Sequence, residues 1–234
     1  MSAESDALIR AYESANSQVR ERVLAYALAV WGAASSFRDA DVDRLVARIV
    51  PAVQAGQLQL AALTDAYVGR MASLAGVSWT ASVDRSVVAY RGVAASEVYR
   101  RPAVSLYTAL ARGAAFTDAV SEGRNRLQSI VSTDLQQARN RQANSSVGSS
   151  GFQFYRRVLT GKEDCDKCQI ASTNRYSKAD LMPIHPGCDC GVEPLLEFDA
   201  KPDPAAETVV VNMHGELGPT LGWAGEHFTG PSDL

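Results

Sequence analysis

All four cysteines of this chain lie between residues 163 and 190, in the segment EDCDKCQIASTNRYSKADLMPIHPGCDC. Cys165 and Cys168 form a C-x-x-C pair, and His185, Cys188 and Cys190 follow as H-x-x-C-x-C. Two thiolates at the first spacing can bind one Zn²⁺ at about 2.3 Å, and the second motif offers three candidates for the two remaining tetrahedral positions. We therefore expect four of these five residues to bind a structural zinc ion.

The segment around the cysteines is too short to fold on apolar burial alone. Residues 152–196 make a unit of about 45 residues, and chains of that size usually need a metal, a disulfide or a partner. A closed tetrahedral site has no open position for water, which favours a structural role over a catalytic one. Two other interpretations stay open: a buried cluster of free thiols, or a disulfide formed in an oxidising environment.

Upstream of residue 144, apolar residues recur at steps of three and four, which is typical of amphipathic helices. This pattern predicts a mainly α protein, with residues 1–143 forming an N-terminal helical bundle of long amphipathic helices. Residues 77–101 show a weaker pattern and predict a short helix or an irregular connection. The predicted helices are residues 3–31, a second from Asp41 that Pro51 bends or ends, a third at 60–74 closed by Gly76, a fourth at 104–114 and a fifth at 117–143.

Three further segments are predicted beyond the bundle. NSSVGSS, at 144–150, has the composition of a loop, so residues 144–151 are assigned to a flexible linker. Apolar and polar residues alternate over 152–158, as in a short strand, so the zinc-stapled module at 152–196 is expected to be α+β. Residues 197–234 are acidic and rich in Pro and Gly, which predicts an extended tail that orders only against the body or a partner.

Charge is divided unevenly along the chain. Residues 1–160 hold 18 arginines and no lysine against 13 acidic residues, a formal charge of +5, whereas residues 161–234 carry −8. A charge of +5 over this length is far from the concentrated basic patch of nucleic-acid binders, so we expect at most weak DNA contact through the Arg-bearing helical body.

The start of the chain and its apolar runs bear on location. MSAESDALIRAY lacks the basic-then-apolar pattern of a signal peptide, and no run of about 20 apolar residues occurs. We therefore expect a protein of the reducing cytoplasm that makes no contact with a membrane.

Motifs of common enzymes are absent from the sequence. There is no H-E-x-x-H, G-x-S-x-G or G-x-x-x-x-G-K-[ST] motif. Zinc deaminases combine H-x-E with P-C-x-x-C, and PIHPGCDC matches neither half. We assign no catalytic residue, and the sequence favours a protein that is not an enzyme.

The segment RVLTGKEDCDKCQIASTNRYSKADLMPIHPGCDCGVEPL resembles the C-terminal domain of the Mu F-like minor head proteins of tailed bacteriophages, in particular the versions carried by actinobacterial phages. The helical residues 97–142 are also similar, and with the tail segment HGELGP the resemblance covers residues 97–222. One departure is Asp189, where many relatives have a basic residue between the last two cysteines. The residues that match the C-x-x-C and H-P-x-C-x-C motifs of the family are Cys165, Cys168, His185, Pro186, Cys188 and Cys190.

The resemblance implies a minor capsid protein of head morphogenesis, bound to the portal inside the procapsid or head, with a role in capsid assembly and in DNA packaging or ejection. It implies the portal protein as partner, with the scaffold and major capsid proteins as further partners. The implied location is the virion interior near the portal, and the host cytoplasm during assembly. Two alternatives remain: a capsid maturation protease that cleaves scaffold or capsid protein, a label such relatives often carry, and a zinc-ribbon-like nucleic-acid-binding protein.

Overall fold

The computed structural model describes residues 3–160, 165–185, 188–197, 209–214 and 218–223. These residues are mainly helical, with a small strand-bearing segment at the C-terminal end, as the sequence predicts. The helices are α1 (Ala3–Gly32), α2 (Asp39–Ala75), α3 (Ala95–Ala111), α4 (Phe116–Gly148) and α5 (Asp166–Ala171), with a 3₁₀ turn at Arg85–Val88. The strands are β1 (Phe154–Val158), β2 (Arg175–Ser177), β3 (Gly191–Leu195), β4 (Val209–His214) and β5 (Gly218–Trp223).

The four long helices pack around one apolar core. Helices α2 and α4 each contact the three other long helices, so these two helices lie at the centre of the bundle. Fully burying one Leu or Ile side chain stabilises a fold by about 1.5–3 kcal/mol, so this core holds the bundle together by apolar burial. Among the described residues, no helix has the length and apolarity that a membrane span requires. Large buried members of the core include Trp31, Phe37, Ile49, Leu60, Tyr99, Leu106, Leu127, Ile130 and Leu135.

The second and third predicted helices are one helix, which corrects the prediction. Helix α2 passes through Pro51 and continues to Ala75. A proline inside a helix costs about 3 kcal/mol, but Ile49 and Val53 on either side are buried in the core, and their packing offsets that cost. Gly76 ends the helix as predicted, in the left-handed conformation with φ of 67°.

The connection between α2 and α3 is irregular apart from its 3₁₀ turn, as the weak sequence pattern indicates. It is shorter than predicted, because residues 95–101 are helical and begin α3. It is attached to the bundle by Asp134 of α4, a buried carboxylate. Asp134 accepts hydrogen bonds from Tyr90 Oη at 2.7 Å, Arg91 Nε at 2.6 Å and Tyr99 Oη at 2.9 Å. Tyr90 and Arg91 belong to the connection and Tyr99 belongs to α3, so Asp134 joins both to α4. Earlier in the connection, Ser82 N donates to Asp65 Oδ2 and Asp84 N donates to Gln142 Oε1.

Residues 144–148, predicted as part of a flexible linker, are the end of α4 instead. Ser146 and Val147 are buried between the helices. Ser146 Oγ donates to Asp65 Oδ1 of α2 at 2.7 Å and accepts from Gln142 Nε2 at 2.8 Å. The polar composition that indicates a loop in sequence therefore serves buried hydrogen bonds, because α2 supplies partners that local sequence does not show.

Strand β1 is the centre of a three-stranded antiparallel sheet in the order β2-β1-β3. Tyr155 and Arg157 face the interior, while the alternating positions 154, 156 and 158 are only partly buried. This interior face completes a second apolar core, so the sheet and the helical bundle share buried residues. The members of this core are Ile9, Tyr12, Tyr67, Val68, Met71, Ala72, Ala143, Val147, Phe152, Tyr155, Met182 and Val192.

Part of the predicted tail forms an antiparallel hairpin of β4 and β5. Leu221 N donates to Ile184 O at 2.7 Å, and Ile184 N donates to Pro219 O at 3.3 Å. These tail residues are therefore ordered against the rest of the chain, one of the two outcomes that the sequence allows. Other tail positions, at 198–208, 215–217 and 224–234, lie outside the described residues, as do Pro186 and Gly187 of the ligand motif.

Candidate metal centre

The five predicted ligands come together in the fold. Cys165 directly precedes α5 and Cys168 lies in its first turn, while Cys188 and Cys190 come just before β3. The Sγ atoms of Cys165 and Cys168 lie 3.2 Å and 3.0 Å from His185 Nε2. The Sγ atoms of Cys168 and Cys188 are 3.9 Å apart. Residues separated by up to 25 positions thus present sulfur and nitrogen atoms to one small volume.

The ligand atoms fall into two groups of three that share Cys168 Sγ. One group contains Cys165 and His185 with Cys168, and the other contains Cys188 and Cys190 with Cys168. Within each group the ligand atoms lie within 4.8 Å of one another. Tetrahedral coordination with Zn–S distances of about 2.3 Å separates two sulfur atoms by roughly 3.8 Å, close to the Cys168–Cys188 distance. The cluster can therefore hold a metal ion.

The sulfur atoms are largely shielded from solvent. Cys168, Cys188 and Cys190 are buried, and they pack with Ile184 in a small core of their own. Cys165 is partly exposed. All four cysteines are among the described residues and none forms a disulfide, so a disulfide framework does not stabilise this fold.

Arg157 of β1, for which the sequence held no motif, lies against the sulfur atoms. Its side chain is 1 % exposed. Its Nη1 donates to Cys188 Sγ at 3.2 Å and to Cys168 Sγ at 3.6 Å, and its Nη2 donates to Pro183 O. Burial of a guanidinium is costly unless a negative group lies beside it. Within the described ranges no carboxylate forms an ion pair with Arg157, so the cysteine sulfurs are its nearest candidates for that negative group.

Arg139 of α4 connects the bundle to the second half of the ligand motif. This side chain is also 1 % exposed, and its Nη1 forms an ion pair with Glu13 Oε2 of α1 at 3.0 Å. Its Nη2 donates to the carbonyl oxygens of Asp189, at 2.8 Å, and of Cys190. One turn earlier, Gln136 Nε2 donates to the same Cys190 carbonyl at 3.3 Å. Side chains of the bundle therefore fix the backbone that carries two of the candidate ligands.

A signal for these contacts exists in α4 itself. The stretch from residue 133 to 142, TDLQQARNRQ, has almost no apolar stripe, yet most of its side chains are buried. A helix that is polar all round must find polar partners if other parts of the protein cover it. The sequence reveals the polar stretch but not which backbone carbonyls and sulfur atoms it meets.

The three buried thiols bind protons unequally. Hydrogen bonds with Cys168 and Cys190 lower the pKa of Cys188 well below its ordinary value, and the guanidinium of Arg157 adds to this effect. The hydrogen bonds with Cys188 and Cys190, together with burial, raise the pKa of Cys168. A hydrogen bond with Cys168 lowers the pKa of Cys190, but the bond with Cys188 and burial outweigh it and raise that pKa to about 12. Cys188, the sulfur nearest Arg157, is therefore the favoured thiolate.

Comparisons of this chain with protein-family models, with curated proteins and with solved structures found no match. The described residues define a mainly helical protein with a small C-terminal strand segment. They also define a cluster of four cysteines and one histidine, three of the cysteines buried, that can hold a metal ion. The family resemblance rests on the sequence motifs alone.

Proposed function

We propose that the cysteine–histidine cluster is a structural zinc centre, and that the protein is a phage minor head protein that acts at the portal. The observation that carries the proposal is a closed set of sulfur and nitrogen donors that lies against the helical bundle. Zinc suits this set, because it favours four-coordinate tetrahedral sites made of Cys and His. Cys165, Cys168 and His185 supply three ligands, and Cys188 or Cys190 supplies the fourth.

The zinc ion would cross-link three parts of the C-terminal segment. Its ligands come from the start of α5, from the segment after β2 and from the residues before β3. The small sheet alone connects these three parts only in part. Four protein ligands leave no position for a water molecule or a substrate, which supports a structural rather than a catalytic role. Structural zinc sites contribute directly to folding, with apparent binding free energies of about 10–16 kcal/mol at pH 7.

The metal assignment can be tested on the purified protein. Elemental analysis is expected to find one zinc per chain, and Cys165→Ser is expected to lower this content because it removes one ligand. Ser172→Ala is a suitable control, since Ser172 lies at the end of α5 and its hydroxyl contacts only a neighbouring carbonyl among the described contacts. A wild-type protein without bound metal would exclude the zinc centre.

The role at the portal rests on the resemblance to Mu F-like minor head proteins. A surface feature of the bundle supports a protein partner: Val104, Tyr107 and Leu110 lie at steps of three along α3 and are 57 %, 40 % and 37 % exposed. Such a row of exposed apolar side chains is a common feature of surfaces that bind other proteins. The C-terminal segment, with its excess of acidic residues, is less suited to binding DNA.

The portal role is tested by co-expression with the portal protein of the same phage genome, followed by size-exclusion chromatography. A stable complex is expected for the wild type, and Val104→Asp is expected to weaken it because a charge would enter an apolar contact. Glu122→Lys, an exposed change on α4, is a control for altered surface charge. Cleavage of scaffold or capsid protein without any portal complex would favour the protease alternative instead.

A further inference from the structure

We propose that Arg157 is a positioning residue of the metal centre, which holds the sulfur atoms of Cys168 and Cys188 in place and offsets their negative charge when a metal is bound. The inference deepens the proposed zinc centre and depends on it. It concerns a residue outside the C-x-x-C and H-x-x-C-x-C motifs.

The position of Arg157 in the sheet directs its side chain to the sulfur atoms. Arg157 is paired with Val192 of β3, two residues after Cys190, so the strand that follows the ligands also fixes the arginine. Its guanidinium reaches three groups at once: two sulfur atoms and the carbonyl oxygen of Pro183, two residues before His185. A planar fork of donors can do this, whereas the single ammonium group of a lysine cannot reproduce the same geometry.

Cys168 is the sulfur that the two groups of ligand atoms share. A donor that contacts both Cys168 and Cys188 therefore lies where the two groups join. Hydrogen bonds from outside the ligand set orient metal ligands, and their loss typically reduces metal affinity by about 10–100-fold. Arg157 is in position to play this part for two sulfur atoms at once.

The charge balance points to the same role. Three thiolates and a neutral histidine around Zn²⁺ carry a net charge of −1, and four thiolates carry −2. A buried net charge is unfavourable unless an opposite charge lies beside it. The guanidinium of Arg157 neutralises the first arrangement, which includes His185, and leaves the second with one uncompensated charge.

The neighbouring residue offers a matched control. Arg156 lies on the same strand, but its side chain is partly exposed and pairs with Glu193 Oε2 at 2.6 Å rather than with sulfur. Arg156→Met and Arg157→Met remove the same charge and leave the same type of side chain. Any effect on the metal centre that appears only in Arg157→Met is therefore caused by loss of the buried arginine and not by loss of a positive charge on β1.

The test measures zinc affinity by competition with a chelator, and the absorption of the Co²⁺-substituted protein. We expect Arg157→Met to lose about 10–100-fold in zinc affinity and Arg157→Lys to lose less, while Arg156→Met keeps the wild-type affinity. The sulfur-to-cobalt charge-transfer band is expected to shift in both Arg157 variants, because hydrogen bonds to the coordinated sulfur atoms are lost. A purely structural role for Arg157 would not move this band.

The outcomes separate this inference from the zinc centre itself. If the wild type binds no zinc or cobalt, the zinc centre is excluded, and the role of Arg157 with it. If the wild type binds metal and both Arg157 variants keep its affinity and its band, only the role of Arg157 is overturned. If Arg157→Met loses its far-UV circular dichroism, it has unfolded, and Arg157→Lys becomes the deciding variant. A weaker zinc affinity and a shifted charge-transfer band in Arg157→Lys support the inference, and wild-type values of both overturn it.

Discussion

The two halves of α4 bury different kinds of side chain. The first half contributes Leu127, Ile130 and Val131 to the apolar core of the bundle. The second half contributes Gln136, Arg139 and Asn140, whose side chains donate to backbone carbonyls near the cysteine cluster. The same helix therefore packs mainly by apolar burial in its first half, whereas its second half adds directed hydrogen bonds to the apolar contacts of Ala143 and Val147.

This difference has a thermodynamic consequence. Apolar contacts have no direction, and a core accepts substitutions of similar volume at a modest cost. Buried polar contacts need every partner, because a buried donor or charge that loses its partner keeps its full desolvation cost. We therefore expect the region around the cysteines to be more sensitive to single changes than the apolar core is.

The largest effect is expected from Cys168→Ser, because Cys168 belongs to both groups of ligand atoms. Loss of the proposed metal should release the C-terminal segment while the bundle, which has its own apolar core, stays helical. Limited proteolysis with mass spectrometry should find new cleavage sites between residues 152 and 196, and far-UV circular dichroism should change little. If residues 152–196 of Cys168→Ser resisted proteolysis as they do in the wild type, the expected sensitivity of the region around the cysteines would be contradicted.

Arg139→Ala is expected to lower the free energy of unfolding by about 3–5 kcal/mol, because it leaves the largely buried carboxylate of Glu13 on α1 without its ion-pair partner. Urea denaturation measures this change. The exposed pair of Arg100 and Asp43 provides the control: Arg100→Ala should cost at most about 1 kcal/mol. Equal losses in the two variants would show that burial does not distinguish these pairs.

In the apolar half, Leu127→Ala is expected to cost about 2–5 kcal/mol, since the side chain is fully buried and a cavity would remain. Leu127→Met should cost less than about 1.5 kcal/mol, because the volume is nearly conserved. Thermal denaturation measures the stability of Leu127→Ala, and elemental analysis of a separate folded sample measures its zinc content. We expect the stability to fall while the zinc content stays at the wild-type value. Loss of zinc in this variant would mean that the two halves of α4 are not independent.

The smallest expected effect appears at alkaline pH. Burial raises the pKa of Tyr12 to about 12, against an ordinary value of 10.0. The folded protein therefore keeps the phenol proton after the unfolded chain begins to release it. The resulting stability is complete below pH 10 and is lost as the pH rises towards 12, by about 2–3 kcal/mol in total.

This pH dependence can be assigned to Tyr12 by urea denaturation at several pH values. Tyr12→Phe should reduce the fall in unfolding free energy between pH 10 and pH 12 by about 2–3 kcal/mol, because one titrating group is gone. The remaining fall belongs to other tyrosines whose pKa burial raises, among them Tyr67, Tyr90, Tyr99, Tyr155 and Tyr176. The variant also loses the 2.7 Å hydrogen bond to Thr64, so its stability at pH 8 serves as the reference. An equally steep fall in the variant would assign the effect to other buried tyrosines.

Much of the helical fold could be predicted, because a 3.6-residue apolar period follows directly from burying one face of a helix. The course of α1, the end of α2 at Gly76 and the strand β1 agree with the sequence pattern. Passage of α2 through Pro51 and extension of α4 to Gly148 could not be predicted. Local propensity argues against both, and only packing against distant residues of the core outweighs it.

The candidate site divides in the same way. Residue type and spacing by themselves determined the five donors, because Cys and His at these intervals can reach a common ion wherever the segment lies. Only the tertiary structure decided that Arg157 contacts their sulfur atoms and that Arg139 holds their backbone. Glu13 and Arg139 are 126 positions apart, and their contact depends on how α1 and α4 pack, which no local pattern encodes.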